Sequence, residues 1–253
     1  MSLEKITTRT DNNGKNNEDS FFVGENGDKT VLCVCDGVGG TDAGEIASGY
    51  VVKSFEIWLE SHDLTSMSLS ELHREISCFA ADMHDDLWTH ACNKRQSLAT
   101  TMIIAVIGEK AAVFETIGDS RAYICQRRYL KQVTIDQTVK YYEMVTGDIL
   151  PEYVNASEKR KNSILMQCIG GDPEGLEKPR TPVPVRYTVA IDEAVDIILC
   201  SDGLSNKLNE LNFQSELLRK QTGDKVLDNL IALAKKRGER DNITAILYRR
   251  RKA

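Results

Sequence analysis

Several things are scarce in this chain. No stretch holds the ~18 consecutive apolar residues of a membrane span, and the start, "MSLEKITTRTDNNG", has no apolar h-region. We therefore expect a soluble, cytoplasmic chain that engages no membrane. Positive charge is also lacking: 32 Lys and Arg against 38 Asp and Glu leave a net charge of −6, which argues against a nucleic-acid binder, whose face would be basic. The basic cluster "RRRK" at 249–252 reads as a solvated end. Only five prolines occur, and no Gly/Ser-rich or charge-rich stretch marks a linker, so residues 1–253 are read as one domain. The cysteines number seven and show no C-x-x-C spacing, which fits reduced thiols and not a disulfide framework. Cys33, Cys35, Cys125, Cys168 and Cys200 lie in apolar runs and read as small core residues. The four histidines, His62, His73, His84 and His90, form no H-E-x-x-H pair and read as surface residues.

What is present is alternating strand and helix pattern. "SFFV" at 20–23 and "TVLCVC" at 30–35, joined by "GENGD", read as a hairpin whose first strand opens the fold. A helix follows, with Asp42 as cap, Glu45 three residues on, and a stripe of Ala47, Val51, Phe55 and Leu59. Ser68 and Glu71 open a second helix with the stripe Leu72, Ile76, Phe79, Met83 and Leu87. From Leu98 four short β-rich runs read as a meander. "RTPVPVRYTVA" carries prolines and belongs at an edge. "AVDIILC" is a central strand, helices return at 211–219 and 224–237, and "NITAILYRR" closes as a strand. Residues 137–168 are weaker in pattern and read as a small helical insertion. Grouped strands and grouped helices mean α+β: a four-layer α/β/β/α sandwich of two antiparallel sheets between helix pairs.

The chemistry lies at strand ends. "VLCVCDGVGG" runs an apolar strand into Asp36 and then into glycines, but Asp42 breaks any G-x-G-x-x-G and no Lys-Ser/Thr follows for a phosphate loop. Asp36 would repel phosphate unless a cation lay between, and Gly37 lets a backbone carbonyl approach the same cation. The design recurs in "IILCSDG" with Asp202 and in "ETIGDS" with Asp119; "ERDN" places Asp241, and "NNED" places Glu18 and Asp19, just ahead of strands. Such a gathering of like charges weakens a fold unless cations neutralise it. All-oxygen ligands select Mg²⁺ or Mn²⁺.

"NNEDSFFV", "CDGVGGTDAGEIAS", "LATT", "IGDSRAY", "LCSDGL" and "RDNITAI", in that order over nearly the whole chain, resemble the metal-dependent (PPM, or type 2C) serine/threonine protein phosphatases, bacterial members above all. The resemblance implies hydrolysis of phosphoserine and phosphothreonine in proteins by direct attack of a metal-bridging hydroxide. It implies that Asp36 bridges two Mg²⁺ or Mn²⁺ ions, with Glu18 and the Gly37 carbonyl completing one site and Asp202 and Asp241 the other. Asp119 would take a third, weaker ion, Asp19 would support by hydrogen bonds, and 137–168 would be a flap beside the site. The implied partners are phosphoproteins made by a serine/threonine kinase, and the expected state is a monomer. Two positions depart from the family. An arginine usually stands four residues before the metal-binding glutamate; here it is Gly14, with Lys15 beside it and Arg9 as a second source of charge for the substrate phosphate. A histidine two residues after the bridging aspartate is here Val38. The missing arginine leaves a second reading, a phosphatase-like module that binds or regulates with little catalysis.

Overall fold

Two antiparallel sheets stack face to face in the computed structural model, which describes residues 3–38, 43–172 and 179–252. The chain opens with strands β1 (Leu3–Asp11), β2 (Asp19–Asn26) and β3 (Lys29–Val38), then helices α1 (Gly44–Glu60) and α2 (Leu69–Lys94). Strands β4 (Leu98–Thr100), β5 (Met102–Ile107), β6 (Ala111–Ile117), β7 (Arg121–Gln126) and β8 (Tyr129–Gln132) follow. Helices α3 (Val139–Thr146) and α4 (Glu158–Ser163) form the insertion, and then come β9 (Ile169–Gly171), β10 (Val185–Ala190) and β11 (Val195–Cys200). The end is α5 (Asp202–Ser205), α6 (Glu210–Leu217), α7 (Gly223–Lys236) and β12 (Ile243–Arg251). One sheet has the order β1-β12-β11-β7-β8; the other runs β10-β6-β5-β3-β4-β9, with β2 paired to β3.

Alternation along single strands builds the layers. In β3, Leu32 and Val34 face the opposing sheet and meet Ile197, Leu199 and Ile246. Val31, Cys33 and Cys35 face the other way, onto Val51, Phe55, Ile76 and Phe79 of α1 and α2. The second sheet does the same with α6 and α7, where Ile198 and Leu247 meet Phe213, Leu227 and Leu230. Strands buried on both faces read as unbroken apolar runs. Both predicted helix stripes are buried throughout. The Ser68–Glu71 capping box is present. The expected cap Asp42 lies outside the described residues; α1 has Ala43 as N-cap and no side-chain cap bond.

The structure corrects five expectations. The first strand is β1, not β2; its Ile6–Thr10 segment is β-branched but too polar to stand out. The meander is broken: β5 and β6 pair in one sheet, β7 and β8 in the other, and the chain changes sheet at Gly118–Ser120. "RRRK" is not a solvated end, because Arg249, Arg250 and Arg251 belong to β12 and Arg250 is buried. His84 is buried: its Nδ1 accepts the Gly170 N–H at 3.1 Å and its Nε2–H donates to the Pro179 carbonyl at 3.2 Å. Cys168 is only half-buried, whereas the other four cysteines predicted as core are buried. Among the described residues no helix is long and apolar enough to cross a membrane.

Candidate active site

Four strand ends are tied together at one edge of the sandwich. Asp19 opens β2 directly opposite Asp36 near the end of β3. The Gly37 N–H donates to the Glu18 carbonyl at 3.0 Å, and the Glu18 N–H donates to Asn242 Oδ1 at 2.9 Å, beside Asp241. Ser201, next to Asp202, donates its hydroxyl to Asp19 Oδ2 at 2.8 Å. Asn206 Nδ2 donates to Asp202 Oδ2 at 2.9 Å. Glu18, Asp19, Asp36, Asp202 and Asp241 therefore come from three distant parts of the chain to one cleft. Asp119 joins them through the sheet-changing turn: Thr101 Oγ1 accepts the Asp36 N–H at 3.0 Å and lies 2.9 Å from Ser120 Oγ.

Burial and mutual repulsion raise these acids. Burial first, then the charges of Asp19, Asp202, Asp119 and Asp241, push Asp36 well above the usual carboxylate range, although part of the residue stays open to solvent. Asp119 is pushed up to about 8 by burial and then by Asp202 and Asp136, with Arg121 opposing. Burial raises Asp19 to about 6, restrained by Ser201 and Thr244. Asp202 reaches about 6 through burial and Asp241. Glu18 is raised by burial, then by Glu45 and Asp241, against Lys15 and the Gly44 backbone. Asp19 Oδ1 and Glu45 Oε2 are buried without a hydrogen-bond partner. Like charges in a low dielectric with orphaned carboxylate oxygens fit a site for hard cations. Among the described residues no three His, Cys, Asp or Glu side chains are grouped closely enough to hold one ion by themselves; an ion here would take backbone carbonyl and water as further ligands, as Mg²⁺ commonly does.

Gly37 has a role the sequence did not disclose. A Cβ there would fall 2.3 Å from the Gly44 carbonyl oxygen, so the glycine lets the start of α1 close over the cleft. Gly44 in turn lies against the Glu18 carboxylate, 2.8 Å from where its own Cβ would be. Lys15 is exposed, and its charge reaches Glu18. Arg9 is turned elsewhere: it pairs with Asp228 at 2.8 Å and with Asp224, both on α7. Sequence reasoning also missed the positioning groups. Thr100 and Thr101, in "LATT", hold the Asp36 carbonyl at 2.9 Å through the Thr100 hydroxyl and 2.8 Å through the Thr101 N–H. Glu45 was read only as part of a cap. Its acidic side chain, shortly after "CDG" in the sequence, was the available signal.

A family model for protein phosphatase 2C matches residues 8–238. This chain belongs to the protein phosphatase 2C family. Among curated relatives, the 2C chain is 29% identical over 245 residues to a serine/threonine phosphatase, stp, of Listeria monocytogenes, covering 92% of this chain and 90% of that protein. It is similar to the solved serine/threonine phosphatase of S. agalactiae, with a TM-score of 0.83 and 25% identity over 97% of this chain and 99% of the other. The catalytic domain of PstP, solved in complex with 2 manganese ions, shares the fold at a TM-score of 0.76 and 22% identity over 100% of both chains. The 2C chain thus has the α+β two-sheet architecture expected of it.

Proposed function

We propose that this chain is a divalent-metal-dependent protein serine/threonine phosphatase whose single catalytic domain spans 1–253, with 137–168 as the flap. The observation that carries the reading is the knot of Glu18, Asp19, Asp36, Asp202 and Asp241 at one edge of the sandwich, with more negative charge than the protein neutralises. The 2C family match and the named phosphatase relatives support it. Asp36 would be shared by two Mg²⁺ or Mn²⁺ ions, Glu18 and the Gly37 carbonyl would serve one, Asp202 and Asp241 the other, and Asp119 a third. The manganese-loaded PstP relative supports the choice of ion. When bound, such ions supply acidified water and positive charge against the phosphoryl oxygens.

The chain's own residues do the rest. Asn242 and Gly37 fix the Glu18 backbone, Ser201 orients Asp19, and Thr100 and Thr101 clamp Asp36, so the acids would hold such ions without reorganising. Lys15 would draw the substrate phosphate toward the cleft. Val38 offers no proton to the leaving serine or threonine oxygen, so water serves that end. Phosphorylated proteins, the products of a serine/threonine kinase, are the substrates, and the chain would act as a monomer. The test is hydrolysis of p-nitrophenyl phosphate with Mn²⁺, with chelator, and by Asp36→Asn. We expect loss of at least ~10²-fold in both controls; release that survives Asp36→Asn would refute the site. The absence of an arginine at Gly14 favours a second reading, a binding module, which predicts no release at all.

A further inference from the structure

We propose that the end of the five-stranded sheet far from the acidic cleft is a docking groove for an Asp/Glu-rich stretch of the protein substrate. The word substrate rests on the phosphatase reading; the groove itself does not. β12 has the cleft at its Ile243 end and this surface at its Arg249–Arg251 end, nine residues in all, or about 26 Å at ~3.3 Å per residue. The two surfaces share no residue.

The groove is built, not merely charged. Two cavities, of about 430 and 760 Å³, share Lys220, Gln221, Arg249 and Arg251 as walls and so run together. One side is the α6–α7 turn; the other is formed by the ends of β1, β7 and β12. Seven cations line the two cavities against two lining carboxylates, Asp196 and Asp224, and two of the seven are paired from outside the lining, Arg127 with Asp192 and Arg219 with Glu216. Asp224 is taken by Arg9. Asp196 is buried and accepts from both Arg249 Nε and Arg251 Nη2, each at 2.9 Å, so one negative charge orders two positive ones. Arg249 is fixed further by donating to the Gln221 carbonyl at 2.9 Å. Among the described residues no carboxylate pairs with the exposed Lys5, Arg128 or Lys220. In a chain of net charge −6, this concentration of cations attracts an acidic partner selectively.

The walls favour a polypeptide. No aromatic side chain lines either cavity among the described residues, so bases would find nothing to stack on. Ile6, Leu217 and Leu218 give an apolar floor for the stems of Glu side chains. β1 is the outer strand of its sheet and among the described residues pairs with β12 alone, so its outer edge offers backbone groups to an extended chain.

The experiment measures binding of a fluorescein-labelled octaglutamate peptide to the full chain by anisotropy, for the natural protein, Arg128→Glu/Lys220→Glu, and the milder Arg128→Ala/Lys220→Ala. We expect binding that weakens with salt, a loss of about ten-fold on double reversal and a smaller loss in the alanine pair. Hydrolysis of p-nitrophenyl phosphate should stay within about two-fold, while KM for a phosphopeptide rises on reversal only when it carries the acidic stretch. Peptide affinity unmoved by reversal overturns the groove, as does tighter binding of a 12-nucleotide single-stranded DNA than of the peptide. Peptide binding that is lost on reversal in a chain that hydrolyses nothing upholds the groove and removes the phosphatase reading alone.

Discussion

The turn after β1 explains the glycine at position 14, where the family resemblance leads one to expect an arginine. The loop after β1 turns through Asn13 and Gly14 at φ of 50° and 78°. The Gly14 N–H donates to Asn12 Oδ1 at 3.0 Å, and Asn13 Nδ2 donates to the Asp241 carbonyl. The turn that pins Asp241 therefore demands a left-handed residue at 14, where a side chain costs about 1–2 kcal/mol. Under the proposed function Lys15, next along and exposed, would take over as the source of charge. An exposed ammonium meeting a phosphate contributes about 1 kcal/mol, so Lys15→Ala should raise KM for a phosphopeptide about five-fold with kcat little changed. Lys15→Arg should lower KM below the natural value, because a guanidinium grips two oxygens at once. Steady-state kinetics on a phosphopeptide decides; rates indifferent to Lys15→Ala would take the lysine out of substrate binding.

At the scale of elements, Gln137 joins the 137–168 insertion to the turn that carries Asp119. Its side chain accepts the Gly118 N–H at 3.0 Å and donates to the Thr116 carbonyl at 2.9 Å; its backbone carbonyl accepts the Met166 N–H at 2.8 Å. The two ends of the 137–168 segment thus meet at Gln137, and Lys161, buried against Glu143 at 2.8 Å, ties α4 to α3 further out. Gln137→Leu would leave two buried backbone groups unpaired, at about 1–3 kcal/mol each. We expect faster amide hydrogen exchange across 137–168 in that variant, with β11 and β12 unchanged; uniform acceleration over the whole chain would show a general loss of stability instead. Helix stripes and the hairpin were legible in the sequence because a buried face writes its period into nearby residues. Sheet membership was not, since β6 and β7 are each buried on both faces and neither carries a mark of which sheet it joins. The acids at strand ends were legible by their repeated Asp-Gly setting, yet the Thr100, Ser201 and Asn242 contacts that aim them depend on partners from 64 to 224 residues away.

The whole molecule is electrically lopsided. One end of the sandwich gathers Glu18, Asp19, Asp36, Asp119, Asp202 and Asp241, where burial and mutual repulsion raise the proton affinity of Glu18, Asp19, Asp36, Asp119 and Asp202; the other end of the five-stranded sheet gathers arginine and lysine. A fold that keeps mutually repelling, partly desolvated carboxylates spends stability on them whenever no cation is present. Cations that bind the folded state alone return it by mass action, about 2.7 kcal/mol for one site at a hundred times its dissociation constant. For a chain of this size each kcal/mol moves Tm by about 2–4 °C, so saturating Mn²⁺ should raise Tm by roughly 5–10 °C over the same protein in chelator. Asp36→Asn should do two opposite things: raise Tm in chelator, by removing a repelled charge, and abolish most of the rise with Mn²⁺, by removing the ligand shared between sites. A purely structural aspartate would give neither. Scanning calorimetry of both proteins with and without Mn²⁺ separates the cases without reference to turnover, and equal Tm for the natural chain in metal and chelator would mean that these acids are gathered for some purpose other than holding cations.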